Sequence, residues 1–425
     1  VSEPTSHKTK GIVDHLFRNE AGKMTAILIR LFGFNKAELA EDIVQETFIS
    51  AMKNWPLKGK PENPSAWLMQ VAKNKAINVL KRDQLIQSKE SDIEPYPSAE
   101  EVDRIFLDHE ITDSQLRMLF TCCYQEIKPR EQVMLILNIL GGLNTAEIGS
   151  ALLLTPEAVK KAIFRAKNKV RKRHQKLPVI TKQDISEKYE VVLTAIYLIF
   201  NEGYRTSFSD TIVNDELCLT ALRLAHLMLN LKGINAGEVH ALLSLIYFNI
   251  ARFEARKEGS EMVDLKTQDR NKWDAGLISK GFHHLEKSRS SFRLSHYHLE
   301  SSIASVHCSA QNFEETDWQL ISRYYKMLLE IKSSPIIQIN YATAVSYWEG
   351  PEVGLRNLDK IEYSLAKEKK YLLSAAIAEM NARLENFGLA KSYYLVASDQ
   401  ANSKPDIEYL LKKAAECDRK SFSKN

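Results

Sequence analysis

Apolar positions along this chain recur three and four residues apart and almost nowhere alternate, which predicts helices throughout and no sheet. Residues 11–32 read as one amphipathic helix. Ala40, Val44, Phe48, Ala51 and Trp55 stripe a second, from about Ala37 to Trp55, and Leu68, Ala72 and Val79 a third, opened by Asn63-Pro64. An apolar run from Leu116 leads to a helix started by Pro129. Val159, Ile163, Ala166 and Val170, spaced 4, 3 and 4 apart, stripe a strongly polar helix. Beyond Leu177-Pro178 helical spacing continues in 187–200, 215–231, 236–257, 275–293, 317–332, 336–348, 369–386 and 388–399. Helix after helix in series suggests an α-solenoid, and the fold class expected is all-α.

Leu143 to Lys176 carries the punctuation of a helix-turn-helix. Asn144 or Thr145 can cap a short helix whose Ile148 and Leu152 face inward, Gly149 permits close contact, and Thr155-Pro156-Glu157 opens the second helix. Leu153 falls in the tight turn, where Gly reaches positive φ more easily. Near the C-terminus Ala390, Tyr394 and Ala397 have the small, aromatic, small spacing by which tetratricopeptide helices interlock, without a clean 34-residue period. A plain helical array fits the same residues.

The chain has 425 residues, 44% hydrophobic and 26% charged, enough for two or three cored domains. No run of 18 apolar residues occurs, so no membrane span is expected and the default location is cytoplasmic. The five cysteines, Cys122, Cys123, Cys218, Cys308 and Cys417, are scattered and fit reduced thiols rather than a disulfide framework or a zinc site. Cys122 and Cys123 are expected in a core. His283, His284, His296, His298 and His307 have no recognised ligand spacing, so neither metal nor cofactor is expected. No phosphate loop, GxSxG elbow or HExxH occurs, and no enzyme is expected.

Charge divides the chain. Residues 1–182 hold 28 basic and 22 acidic side chains, net +6, against 30 and 32, net −2, in the rest. From Glu157 to Lys176 nine Lys or Arg face a single acid, as a helix beside phosphates requires. A solvated basic helix would carry the same charge; the preceding short helix and turn favour the DNA-reading hairpin. On the third helix Asn74, Asn78 and Arg82 stack at four-residue intervals beside Trp67, Lys75 and Lys81, donors and acceptors suited to unstacked bases. Glu38, Glu41, Asp42 and Glu46 crowd the start of the second helix, as caps or as a docking surface. Between the two basic regions, 88–113 has nine acids and two bases and reads as a flexible connector repelled by DNA.

AEDIVQETFISAM, then NPSAWLMQVAKNKAINVLKR, then the basic hairpin resemble the extracytoplasmic-function class of bacterial RNA polymerase sigma factors over about residues 10–176. LIFNEGYRTS, TDWQLISRYYKML and SPIIQINYATAVSYWEGPEVGL look like the subfamily with a tetratricopeptide-like C-terminal extension. The resemblance implies a module at 10–84 for core polymerase and the −10 element, an acidic linker at 85–112, a −35 reader at 113–177 and a helical regulatory domain at 183–425. It implies core polymerase contacts at Asp42, Gln45 and Glu46. It implies −10 contacts at Trp67, Asn74, Asn78, Lys81 and Arg82, with Asn78 where many relatives have Asp. The −35 contacts fall on Thr155, Glu157, Lys160, Lys161 and Arg165, and a regulatory contact on Asn201, Glu202, Tyr204 and Arg205. The expected partners are core RNA polymerase, promoter DNA and a protein or small-molecule signal at the C-terminal domain. The expected function is promoter-specific initiation regulated by that domain; the alternative is a stand-alone helix-turn-helix regulator with a helical sensor.

Overall fold

The structure, a computed structural model, describes residues 20–87, 97–173, 177–206, 212–258, 261–359, 361 and 370–422. They form nineteen α-helices, three short 3-10 turns and a two-residue hairpin, Lys257–Glu258 with Glu261–Met262. That hairpin is the departure from the expectation of no strand. The chain divides into two compact units, the first through Phe200 plus Leu219–Ile234 and the second Asn201–Cys218 plus Asn235 onward.

Unit 1 begins with α1 (20–32), α2 (Ala37–Lys58) and α3 (Pro64–Gln87). Residues 11–19 of the expected first helix and 88–96 of the expected connector lie outside the described residues. Met24, Ile27 and Leu28 of α1 are fully buried, as are Ala40 and Ala51 of α2. The helix α2 runs past Trp55 to Lys58 although Pro56 removes one donor from its last turn, and stops at Gly59 with φ 82°. On α3 the buried stripe is Leu68, Ala72, Ala76 and Leu80; Val79 is only half-buried, because a strict four-residue step carries the stripe past it.

From Ser98 the acidic stretch is helical rather than a free connector. Ser98 and Glu101 form a reciprocal capping box that starts α4 (Ala99–Ile105), and Asp108 and Glu110 occupy the first turn of α5 (Asp108–Cys122). The acids also meet cations: Lys73 reaches Asp103 at 2.5 Å, and Arg30 reaches Glu110 at 2.6 Å and Asp113 at 3.2 Å. The Arg30 hydrogen bond outweighs desolvation and holds the Glu110 carboxyl below its ordinary range. After α6 (Pro129–Ile139) come α7 (Thr145–Leu152) and α8 (Pro156–Arg173). Cys122 and Cys123 are buried in α5 and its cap.

The long α9 (Lys182–Tyr204) and α10 (Asp215–Met228) each supply residues to both units. Within unit 1, a Cβ on Gly141 would stand 2.9 Å from Ile199, and Arg223 donates to the Gln115 side chain at 2.7 Å. The compact unit thus continues past the boundary expected at 177–183.

Unit 2 continues with α11 (Ala236–Ile250), α12 (Ala275–Ser288), α13 (His296–Ser309), α14 (Trp318–Ile331), α15 (Pro335–Trp348), α16 (Pro351–Leu358), α17 (Lys370–Arg383), α18 (Phe387–Gln400) and α19 (Lys404–Phe422). Their starts are written locally: Asp274 and Asp317 cap α12 and α14 through side-chain oxygens, and Pro335 and Pro351 open α15 and α16. Helices α15, α17 and α19 begin 35 and 34 residues apart, a tetratricopeptide-like recurrence, whereas α11 and α13 begin 60 residues apart. Ala390, Tyr394 and Ala397 lie in one core cluster with Tyr371, Ala378, Leu410 and Ala414. A Cβ on Gly354 would stand 2.5 Å from Ser346 and 2.8 Å from Met380, so only glycine lets α16 close onto its neighbours.

Candidate nucleic-acid interface

Asn144 caps α7 by accepting from Ala146 and Glu147 N–H at 2.9 and 3.0 Å, and Glu147 returns the bond to the Asn144 N–H. The helix ends in a Schellman motif: Leu154 N–H donates to the Gly149 carbonyl at 2.8 Å and Leu153 N–H to Ser150 at 3.4 Å. Leu153 takes the left-handed position, φ 54° and ψ 53°. Glycine is needed at 149, where a Cβ would meet the Leu154 carbonyl at 2.6 Å. Arg130 of α6 donates to the Leu152 carbonyl, another free helix end.

This turn aims α8. Val159, Ala162, Ile163, Ala166 and Val170 are buried, and Glu157, Lys160, Lys161 and Arg165 are exposed on the opposite side. Thr155 is also exposed, with its hydroxyl accepting from Ala158 N–H at 3.3 Å as the cap of the helix. Phe164, 66% exposed among these cations, is an apolar residue the periodicity left unexplained. Arg165 leans on Glu131 of α6 at 3.3 Å. Ile148 is buried but Leu152 only half so.

The other flank of α8 is bound to α2. Lys167 reaches Glu41 at 2.6 Å and Arg171 reaches Glu38 at 2.9 Å. These acids pair with a helix more than a hundred residues away in the chain rather than serve only as first-turn charges.

On α3, Asn74, Asn78, Lys81 and Arg82 are exposed together along one face. Trp67 is half-buried one end of that face, edge-on to Trp55 with centroids 5.5 Å apart. Asn74 accepts from Gln70 at 2.9 Å, and Lys75 pairs with Glu46 at 2.8 Å. Asp42, Gln45 and Glu46 are exposed on α2 beside Ile49 and Met52, 46% and 47% exposed. Those two apolar side chains, at steps of four and three from Gln45, fall off the buried stripe. That displacement was the signal available in the sequence.

The four residues expected at a regulatory contact lie at the end of α9. Asn201 is half-buried and its carbonyl takes the Arg205 N–H at 3.0 Å; Glu202 is buried. Gly203 lies within the last turn of α9, and its missing Cβ leaves room for Cys218 at 2.8 Å. Tyr204 lies under the Arg256 guanidinium at 3.8 Å, and Arg205 pairs with Asp406 at 2.7 Å. Of the histidines, His284 bonds His240 at 2.8 Å, His298 closes the Ser295 capping box, and His307 is buried. Among the described residues no group of three or more His, Cys, Asp or Glu converges as a metal site, and no helix is long and apolar enough to cross a membrane.

Residues 16–85 match the model of sigma-70 region 2, and residues 117–170 that of sigma-70 region 4. Residues 188–289 match a family of unknown function, DUF6596. An uncharacterized protein of Rhizobium meliloti (strain 1021) is 33% identical over 337 residues, covering 77% of this chain and 78% of the relative. The chain belongs to the sigma factors of extracytoplasmic-function type with a C-terminal extension. No solved structure matches it. As a sigma factor it binds RNA polymerase and DNA, with α1–α3 as region 2 and α5–α8 holding region 4. The family of its extension begins inside α9 and ends past α12, so it starts in residues of unit 1.

Proposed function

We propose that this sigma factor directs promoter-specific initiation through three surfaces and is regulated by its C-terminal helical unit. The α2 stripe of Asp42, Gln45 and Glu46, extended by Ile49 and Met52, docks on core polymerase. The α3 face of Asn74, Asn78, Lys81 and Arg82, with Trp67 at its end, captures unstacked bases of the −10 element. The start of α8, with Thr155, Glu157, Lys160, Lys161 and Arg165, enters the −35 major groove, and Phe164 meets a thymine methyl or sugar there. The observation that carries this reading is the two-sidedness of α3 and α8: each buries an unbroken apolar stripe and exposes amides or cations opposite it.

The pairs Lys167–Glu41 and Arg171–Glu38 support a closed resting form in which α8 is tied to the docking helix. Regulation by unit 2 is supported by α9 and α10, helices with residues in both units.

Run-off transcription by sigma-free core polymerase tests the reading. Lys161→Ala should weaken output at all promoters and lower the salt slope by about 1, as loss of one phosphate contact does. Asn78→Ala should slow opening at the proximal element. Full activity in both variants defeats the assignment. Equal output from the full chain and a chain ending at Ile234, its fold checked by circular dichroism, would remove the regulatory part.

A further inference from the structure

Among the described residues, no carboxylate stands within ion-pair distance of three guanidiniums in unit 2. Arg252, just past α11, is 9% exposed, Arg256 in the following 3-10 turn is 8% exposed, and Arg270 is half-buried. The guanidinium carbons of Arg252 and Arg270 stand 5.0 and 4.8 Å from the centre of the Trp273 ring. The pairs Arg205–Asp406, Lys257–Glu254, Arg293–Glu238 and Lys413–Asp264 include none of these three arginines, and the acids that act on Arg270, Glu314 and Glu315, do so from beyond ion-pair distance.

Their partners are neutral. Arg256 donates to the Tyr204 carbonyl at 2.6 Å, and Arg270 to the carbonyls of His307 and Ala310, both at 2.7 Å, and to the Thr316 hydroxyl at 3.2 Å. These carbonyls belong to the ends of α9 and α13, whose partial negative charge makes the two arginines structural clasps. Arg252 lacks even that. Its Nε and Nη2 share one oxygen, the Gln268 side chain, at 3.3 Å each. Burying a cation on so weak an acceptor is unfavourable unless something charged completes it. Two more groups point the same way: the Nε1–H of Trp273, 7% exposed, and Nδ1 of His307, 8% exposed, have no partner. Burial, then Arg252 and Arg270, push the His307 imidazole down to about 3, so it stays neutral and adds no fourth charge.

We infer that this cluster is a binding site for a small free oxyanion, of phosphate or carboxylate type, with Arg252 as its principal ligand and Arg256, Arg270 and the Trp273 N–H around it. A guanidinium fork matches two oxygens of such an ion, and charge-assisted bonds there are about twice as strong as neutral ones. The depth of Arg252 favours a diffusible ion over a phosphate carried on a macromolecule. This goes beyond the sigma reading and is measured without transcription, so the two fail separately.

The test uses the full chain, with inorganic phosphate, sulfate and acetate titrated calorimetrically at ionic strength held constant with potassium chloride. The expected result is saturable binding of one ion, weakened by about tenfold or more in Arg252→Gln, less in Arg252→Lys, and unchanged in Lys326→Ala on the exposed side of α14. Preference for acetate over phosphate and sulfate would assign the carboxylate class, the reverse preference the phosphate class. Trp273→Phe keeps the ring and removes the orphan N–H; it should weaken binding several-fold and serves if the Arg252 variants do not fold. No ion bound beyond the chloride background, or the same binding in Arg252→Gln and Trp273→Phe as in the parent, overturns the inference.

Discussion

Lys167 of α8 holds Glu41 of α2 at 2.6 Å, and one turn on Arg171 holds Glu38 at 2.9 Å. The pairs are partly exposed, and each such pair is worth about 0.2–1 kcal/mol. Glu38→Gln with Glu41→Gln should therefore free α8 and tighten binding of the isolated factor to a −35 duplex by about two- to tenfold at low salt, with the gain fading at high salt. Fluorescence anisotropy at two salt concentrations checks this. No change in affinity would mean the pairs do not restrain α8.

The turn before α8 makes a second prediction. Leu153 sits at φ 54°, a region that costs a residue with a Cβ about 1–2 kcal/mol. Leu153→Gly relieves that and loses about 0.5–1 kcal/mol to unfolded-chain entropy, so it should be neutral or stabilise by up to about 1 kcal/mol. Leu153→Val, branched at Cβ, should destabilise by about 1–2 kcal/mol. Urea unfolding separates them. A valine variant as stable as the glycine one would refute strain at this position.

A third prediction concerns pH. Burial, then Arg252 and Arg270, push His307 from the ordinary 6.5 to about 3. Between those values the unfolded chain binds a proton that the folded chain does not, so His307 contributes stability that is present above pH 6.5 and lost as pH falls toward 3. The stability of the parent relative to His307→Gln should shrink steadily between pH 7 and pH 4. Urea midpoints at pH 7, 5.5 and 4 give the slope, and a constant difference would place the histidine in a solvated setting.

Thiol chemistry gives a fourth. Burial pushes the Cys123 thiol up to about 12 and the Cys308 thiol to about 11, with Cys122, Cys218 and Cys417 also raised. Cys308 is half-exposed and the other four are buried. A disulfide reagent at pH 8 should label at most Cys308 in the folded protein and all five cysteines in denaturant. Rapid labelling of Cys122 or Cys123 in the native state would contradict the packing of α5.

Much of unit 1 was legible because its helices are locally consistent. Caps, turn and stripe of α7 and α8 all agree, and the exposed faces of α2 and α3 follow from the same periodicity. Helix α13 was not, because its buried side includes Ser301, His298 and His307. Serine hydroxyls there satisfy themselves on carbonyls within the helix, as Ser301 and Ser302 do on His298, so polar letters hide a core face. Helix α16 is a mere eight residues, and α19 is rich in charge. Glu41 and Lys167 stand 126 residues apart, and nothing local announces their pairing. In the sequence Arg252 sits in the mixed-charge run ARFEARKE; its burial without an ion pair emerges only in the fold.

The chain passes between its two units after Phe200, after Cys218 and after Ile234. Premature stop codons beyond the region 4 match should accordingly fall into two classes. An allele truncated near Lys182 encodes every residue matched by regions 2 and 4 yet omits 219–234, including Arg223 against Gln115, and should yield a damaged protein rather than an unregulated one. Alleles interrupted after Ile234 spare that unit whole, and only among these should loss of the extension be visible as altered control.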